Sequence, residues 1–159
     1  MPASSLLDFE TTDLSRVVAT REEILARIKQ RGRFALLDGI LDQGLNTEVV
    51  VGFKDIRADD WWAADHIPGR PIFPGALMVE AAAQLATYDY LVRHAPRQDV
   101  FLGFGGLDNV RFRGLVTPGV RMLFACKALR VRTRMFTYAA QGFVGRDLVF
   151  EGEILGLIM

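Results

Sequence analysis

The longest regular pattern in this 159-residue chain lies between Gly75 and His94. Leu77, Met78, Ala81, Ala82, Leu85 and Tyr88 recur there at spacings of three and four, the period of an α-helix. Its other faces are also apolar, with Ala81-Ala82-Ala83 in the middle, so the helix is predicted to be buried and not laid on a surface. Four segments rich in β-branched and aromatic residues follow, roughly 100–113, 119–131, 134–144 and 147–158. Turn signals at Thr117-Pro118-Gly119 and Gly145-Arg146-Asp147 divide them, and they read as strands in an antiparallel meander. Upstream, Thr20 and Glu23 have capping-box spacing, and Ile24, Leu25 and Ile28 mark one face of a short helix ending near Gly32. Two more strand-like stretches, 33–41 and 47–56, are joined by a hairpin signal at Asp42-Gln43-Gly44. Residues 59–74 hold three prolines and two adjacent tryptophans, so neither helix nor strand is expected there. The division predicted is an arm over 1–18, mobile or loosely docked, and one domain over 19–159. One long apolar helix with about six strands is an α+β domain, a curled antiparallel sheet wrapped around a central helix.

Composition narrows the setting. Half the residues are hydrophobic and 24% charged, which is globular and not disordered. No apolar run approaches the roughly 18 residues of a membrane span. The first ten residues lack a basic start and carry Asp8 and Glu10, unlike a secretory leader. A single cysteine, Cys126, excludes an intramolecular disulfide and reads as a buried thiol. Together these make the cytoplasm the expected location. Zero net charge argues against a general nucleic-acid binder. The charge is uneven, however: residues 93–134 hold nine basic side chains against two acids, and the rest of the chain holds ten against seventeen. Solvated strand faces are the plain account of that imbalance; a docking surface for an acidic partner is the sharper one.

Candidate chemistry sits in the run from His66 to Gln84. A lone loop histidine is usually unremarkable, but Pro68, Pro71 and Pro74 restrict the backbone around this one. An imidazole, with an ordinary pKa near ~6.5, serves as a base close to neutral pH. Glu80 lies fourteen positions on, inside the apolar helix, where an ionised acid is costly to bury. Desolvation there would hold it protonated and make it a proton donor; an exposed stripe shared with Gln84 is the alternative. Gly75 opens the helix, whose first amides are unpaired, and its missing side chain lets a carbonyl approach closely or simply satisfies the turn. Base, neutral acid and helix-terminus donor together fit proton abstraction beside a thioester carbonyl with loss of a 3-hydroxyl. No metal-spaced cluster, phosphate-cradling glycine loop or Gly-x-Ser-x-Gly nucleophile is present, and no cofactor is implied.

The run His66-Ile67-Pro68-Gly69-Arg70-Pro71-Ile72-Phe73-Pro74-Gly75, continuing through Glu80 and Gln84, resembles the 3-hydroxyacyl-[acyl-carrier-protein] dehydratases of type II fatty-acid synthesis. The block from Gly106 to Arg113 with Pro118-Gly119, and the stretch from Glu22 through Asp38, are similar to that family's flanking motifs. The resemblance implies a hot-dog fold, His66 and Glu80 as catalytic residues, and Gly75 and Gln84 at the substrate. It implies a homodimer in which His66 of one chain faces Glu80 of the other, trimers of such dimers occurring in the family. It also implies acyl carrier protein, an acidic partner, as the carrier of the substrate, and a cis peptide at His66–Ile67. Glutamate at position 80 points to the dehydratase branch and away from the dehydratase/isomerases, whose acid is aspartate. Departures from the pattern are Asp65 and Ile67 flanking the histidine, Lys29-Gln30-Arg31-Gly32 in place of a Pro-His-Arg run, and Val120 in place of an acid. Two other readings stand beside this one: a hot-dog acyl-thioester hydrolase, and a catalytically silent acyl-binding or assembly subunit.

Overall fold

A computed structural model describes residues 4–95 and 100–159, so Arg97 and Asp99 of the basic stretch lie outside the described residues. Strand β1 (Ala19–Thr20) leads into helix α1 (Arg21–Leu25), and β2 (Gly39–Asp42) and β3 (Val49–Asp55) follow. Helix α2 (Gly75–His94) precedes β4 (Leu102–Phe112), β5 (Arg121–Val131), β6 (Met135–Val144) and β7 (Asp147–Ile158). All pairings are antiparallel, and the sheet runs β1-β2-β3-β5-β6-β7-β4. This is the hot-dog arrangement: one curled sheet around one long helix. Among the described residues no helix is long and apolar enough to cross a membrane.

Helix α2 spans the residues its periodicity marks. Pro74 at its N-cap has φ near −60°, pre-set for helix entry. Ala81, Ala82, Leu85 and Ala86 are fully buried, and the small alanines let the sheet approach closely enough that Cys126 Sγ reaches the Ala82 carbonyl at 3.6 Å. Burial pushes the Cys126 thiol far up, which leaves it inert. One buried charge is fully engaged: Asp89 accepts from Tyr138 Oη at 2.8 Å and from Arg93 Nε at 2.7 Å.

Three local differences from the sequence pattern have identifiable causes. The capping box of Thr20 and Glu23 forms in both directions, but α1 stops at Leu25. The chain beyond it turns inward to bury Ile28, and Arg31 takes up the Ile28 and Gln30 carbonyls. Residues 33–38 do not form a strand, because a 3₁₀ turn (Gly32–Phe34) precedes Leu36, whose amide bonds to the Gln84 side chain. The connection after β2 is no tight hairpin either: Gly44 and Glu48 both have positive φ, and Arg93 Nη2 binds the Gln43 and Gly44 carbonyls at 2.6 and 3.0 Å. The last four strands lie within two residues of their expected bounds, but only β5, β6 and β7 form a meander. Strand β4 crosses to the far edge and pairs with β7.

From Ser4 onward the arm packs on the sheet. Leu7 is only 3% exposed, and Leu6, Phe9 and Leu14 join it against the outer face of the sheet, over Val49, Val51, Phe53 and Phe143. The Phe9 ring meets Phe143 edge-on at 5.3 Å, and Gln141 bonds both Leu6 N and Ser4 O. Burying a leucine contributes about 2 kcal/mol, enough to dock so short a segment when polar pairs assist.

Candidate functional site

The loop between β3 and α2 positions the histidine. Trp62 is buried and meets Phe73 edge-on at 5.2 Å, anchoring both ends of the segment. Trp61 stays 42% exposed and donates to the Arg33 carbonyl. His66 N–H bonds the Trp62 carbonyl at 2.9 Å, and its ring Nδ1 lies 2.9 Å from the Ile72 carbonyl oxygen. A carbonyl only accepts, so Nδ1 is the donor, and in the neutral ring the lone pair lies on Nε2. The ring is exposed in the isolated chain. The expected cis peptide is absent: every peptide bond among the described residues is trans. A non-proline cis bond costs roughly 3 kcal/mol, and the trans loop already places the ring.

Glu80 is half-buried on α2. Desolvation raises its pKa above the ordinary carboxylate value, and the Gln84 hydrogen bond, which favours the anion, offsets only part of that. Gln84 is 1% exposed, and its amide orientation is fixed by its neighbours. Oε1 accepts from Leu36 N at 3.0 Å, while Nε2 donates to Phe34 O at 2.7 Å and to Glu80 Oε1 at 2.9 Å. Both amide protons are therefore engaged by protein groups, one of them by the Glu80 carboxyl. Because Glu80 Oε1 accepts from Gln84, a proton taken up by the carboxyl would sit on Oε2. A cavity of about 80 Å³ opens beside the carboxyl, between α2 and the strands, with Ala83, Leu102, Phe104 and Phe136 among its walls.

At the start of α2 nothing among the described residues accepts from the Gly75 amide. The Phe112 ring packs on this residue; a Cβ there would sit 2.9 Å from its atoms, which gives the glycine a steric cause. Within one chain, His66 and Glu80 are not bonded to each other, and His66 is not part of the Glu80 cavity. Among the described residues no cluster of three His, Cys, Asp or Glu side chains could hold a metal ion.

The edge beside this cavity is the feature that sequence reading missed. Phe101, Phe104, Leu107 and Phe112 on and around β4 are each about half exposed, along a strand that forms one edge of the sheet. Asn109, with φ of 53°, marks an irregularity in the β4–β7 pairing. The signal was present in sequence as aromatics alternating with glycines over 101–106, which is too apolar for a solvated edge.

The basic stretch does not form a single face. Arg93, Arg113 and Arg121 pair with Asp89, Glu151 and Asp55, whereas Arg130, Arg132 and Arg134 are exposed together around the β5–β6 turn.

Comparison with known proteins places these features. A model of the FabA-like domain matches residues 28–153. A 3-hydroxyacyl-[acyl-carrier-protein] dehydratase FabZ of Syntrophobacter fumaroxidans is 35% identical over 136 residues, covering 86% of this chain and 91% of that protein. The FabZ of Moorella thermoacetica is 33% identical over 128 residues, covering 80% and 88%. In three dimensions the chain is similar to the dehydratase heterocomplex ApeI:P of Xenorhabdus doucetiae, with a TM-score of 0.71 at 12% identity over 89% of this chain and 91% of that one. It is also similar to a mutant of thioesterase PA1618 from Pseudomonas aeruginosa, with a TM-score of 0.65 at 13% identity over 92% and 98%. Those two likenesses concern the fold alone.

Proposed function

Because the chain belongs to the FabA-like family, we propose that it removes water from 3-hydroxyacyl thioesters on acyl carrier protein to give trans-2-enoyl thioesters. The observation that carries this reading is Glu80: a carboxyl pushed toward its neutral form by burial, oriented by Gln84 and bordering a cavity. A neutral acid suits elimination, where a hydroxyl must leave as water. Hydrolysis would need the carboxylate to activate a water instead.

In this mechanism His66 Nε2, freed by the Nδ1–H bond to Ile72 O, takes the proton from C2. Charge developing on the thioester oxygen is met by the Gly75 amide at the positive end of α2. Glu80 Oε2–H delivers its proton to the 3-hydroxyl, which departs as water. Base and acid are contributed by different subunits, since one chain leaves them unpaired. The exposed apolar edge at β4 supports a homodimer closed along that strand. Residues 19–159 form the working domain, with 1–18 as its N-terminal arm. Arg130, Arg132 and Arg134 supply positive charge for the acidic carrier.

The test supplies a 3-hydroxyacyl and a saturated acyl thioester of equal length to the purified protein. Enoyl thioester from the first, with no thiol release from the second, is the expected result. His66→Ala and Glu80→Gln should each lower dehydration by about 10²–10⁴-fold. Thiol release from the saturated substrate alone would favour the hydrolase. Equal negligible dehydration by wild type and His66→Ala would leave only an acyl-binding or assembly role.

A further inference from the structure

A second cavity, of about 110 Å³, lies further along α2, with Ile28, Leu91, Ala95 and Phe101 among its walls. Gln30, Thr87 and Leu102 border both, so these three side chains form the partition between them. Along α2, Glu80, Ala83, Thr87 and Leu91 fall at spacings of three, four and four, one continuous helical face. The first cavity begins at the carboxyl; Thr87 lies about 10 Å and Leu91 about 16 Å further along the axis.

The members of the partition differ in how they are held. Thr87 and Leu102 sit on α2 and β4, whose backbones are fixed by helix and ladder. Gln30 lies on the irregular stretch between α1 and the 3₁₀ turn. Its Oε1 is buried without a hydrogen-bond partner, and among the described residues nothing fixes its amide. A buried carbonyl oxygen with no partner is disfavoured where it stands and gains a partner on reaching water. The closed position is therefore the weakly held one.

We propose that Gln30 is the residue that sets acyl-chain length, a swinging partition between a short compartment at Glu80 and a second compartment beyond it, whose apolar wall is Ile28, Leu91 and Phe101 and whose rim carries Arg27 and Lys29. With Gln30 in place, the Glu80 cavity takes a short acyl tail; with its side chain withdrawn, the two spaces join and admit a long one along the Ala83–Thr87–Leu91 face. Extended alkyl chains advance about 1.3 Å per bond. Thr87 thus falls about eight bonds beyond C3, near the eleventh carbon of a thioester whose C3 hydroxyl meets Glu80. This inference rests on the dehydratase reading for its substrate, though not for its geometry.

The experiment compares the full-length wild type with Gln30→Ala and Gln30→Leu. Dehydration of 3-hydroxyacyl thioesters of six and twelve carbons is measured, along with calorimetric binding of the matching saturated acyl-pantetheines. Wild type should favour six carbons over twelve. Gln30→Ala should raise the twelve-to-six ratio of kcat/KM about tenfold, with the same trend in Kd, whereas Gln30→Leu, similar in size, should not. Wild type accepting both lengths equally would overturn the proposal, as would Gln30→Ala matching wild type or Gln30→Leu shifting as far as Gln30→Ala. If wild type dehydrated neither length, the dehydratase reading would fall, and the binding profile would still decide the role of Gln30.

Discussion

Replacing Gln84 with leucine tests the support behind the proposed acid. The substitution keeps shape and deletes three hydrogen bonds at once. Leu36 N–H, on a residue 2% exposed, would be left buried without an acceptor, at a cost of about 1–3 kcal/mol. Phe34 is half exposed, so water can replace the amide at its carbonyl and the loss there is about 0.5–1 kcal/mol. Greater apolar burial by leucine returns about 1 kcal/mol. The net is a destabilisation of roughly 2 kcal/mol, or about 4–8 °C in Tm for a chain of this size. The catalytic consequence has its own sign. Gln84 N–H favours the Glu80 anion, so its loss raises the carboxyl pKa further, and the alkaline limb of dehydration, where the acid ionises, moves to higher pH. Thermal melts at matched protein concentration and pH–rate profiles of enoyl thioester formation measure both effects. A variant that melts with wild type and keeps its alkaline limb, or moves it down, would refute the supporting role.

Two further outcomes follow from the same structure. Glu80 has a folded-state pKa above its ordinary 4.5, so between those values the folded chain holds more protons than the unfolded one. Stability should therefore fall as pH rises through that window and level off above it; urea titrations from pH 4 to pH 8 should show Glu80→Gln lacking this slope and gaining on wild type as pH rises. Charges placed on the open edge, Phe104→Glu with Leu107→Glu, should convert a dimer to folded monomer and abolish turnover, read by sedimentation and circular dichroism; a double variant that stays dimeric would show that β4 is not the seam.

Much of this was legible in the chain because it depends on local rules. A twenty-residue apolar helix announces itself by period and length, and Pro74 fixes its start. Glu80 stood out because an acid is rare in such surroundings. Other features depend on what meets at a distance. Gln84 could be paired with Glu80 by spacing, but its bonds to Leu36 N and Phe34 O span 48 and 50 residues and could not be read from the helix pattern. The arm illustrates a signal that was available: Val49, Val50 and Val51 run consecutively, and in an antiparallel strand that demands cover on both faces. Leu6, Leu7, Phe9 and Leu14 were the uncommitted apolar residues able to supply it. The crossing of β4 to the far side of the sheet could not be read at all, since strand order leaves no mark on periodicity.

That crossing has a consequence for how copies of the chain can accumulate. The sheet ends on one side in eleven residues of β4 and on the other in the two residues of β1. Two copies meeting antiparallel through their long borders would use up both, leaving stubs too brief to template another strand. Extension of the sheet itself would then halt at a pair, and the shortness of the opposite margin would spare the chain polymerisation through its strands.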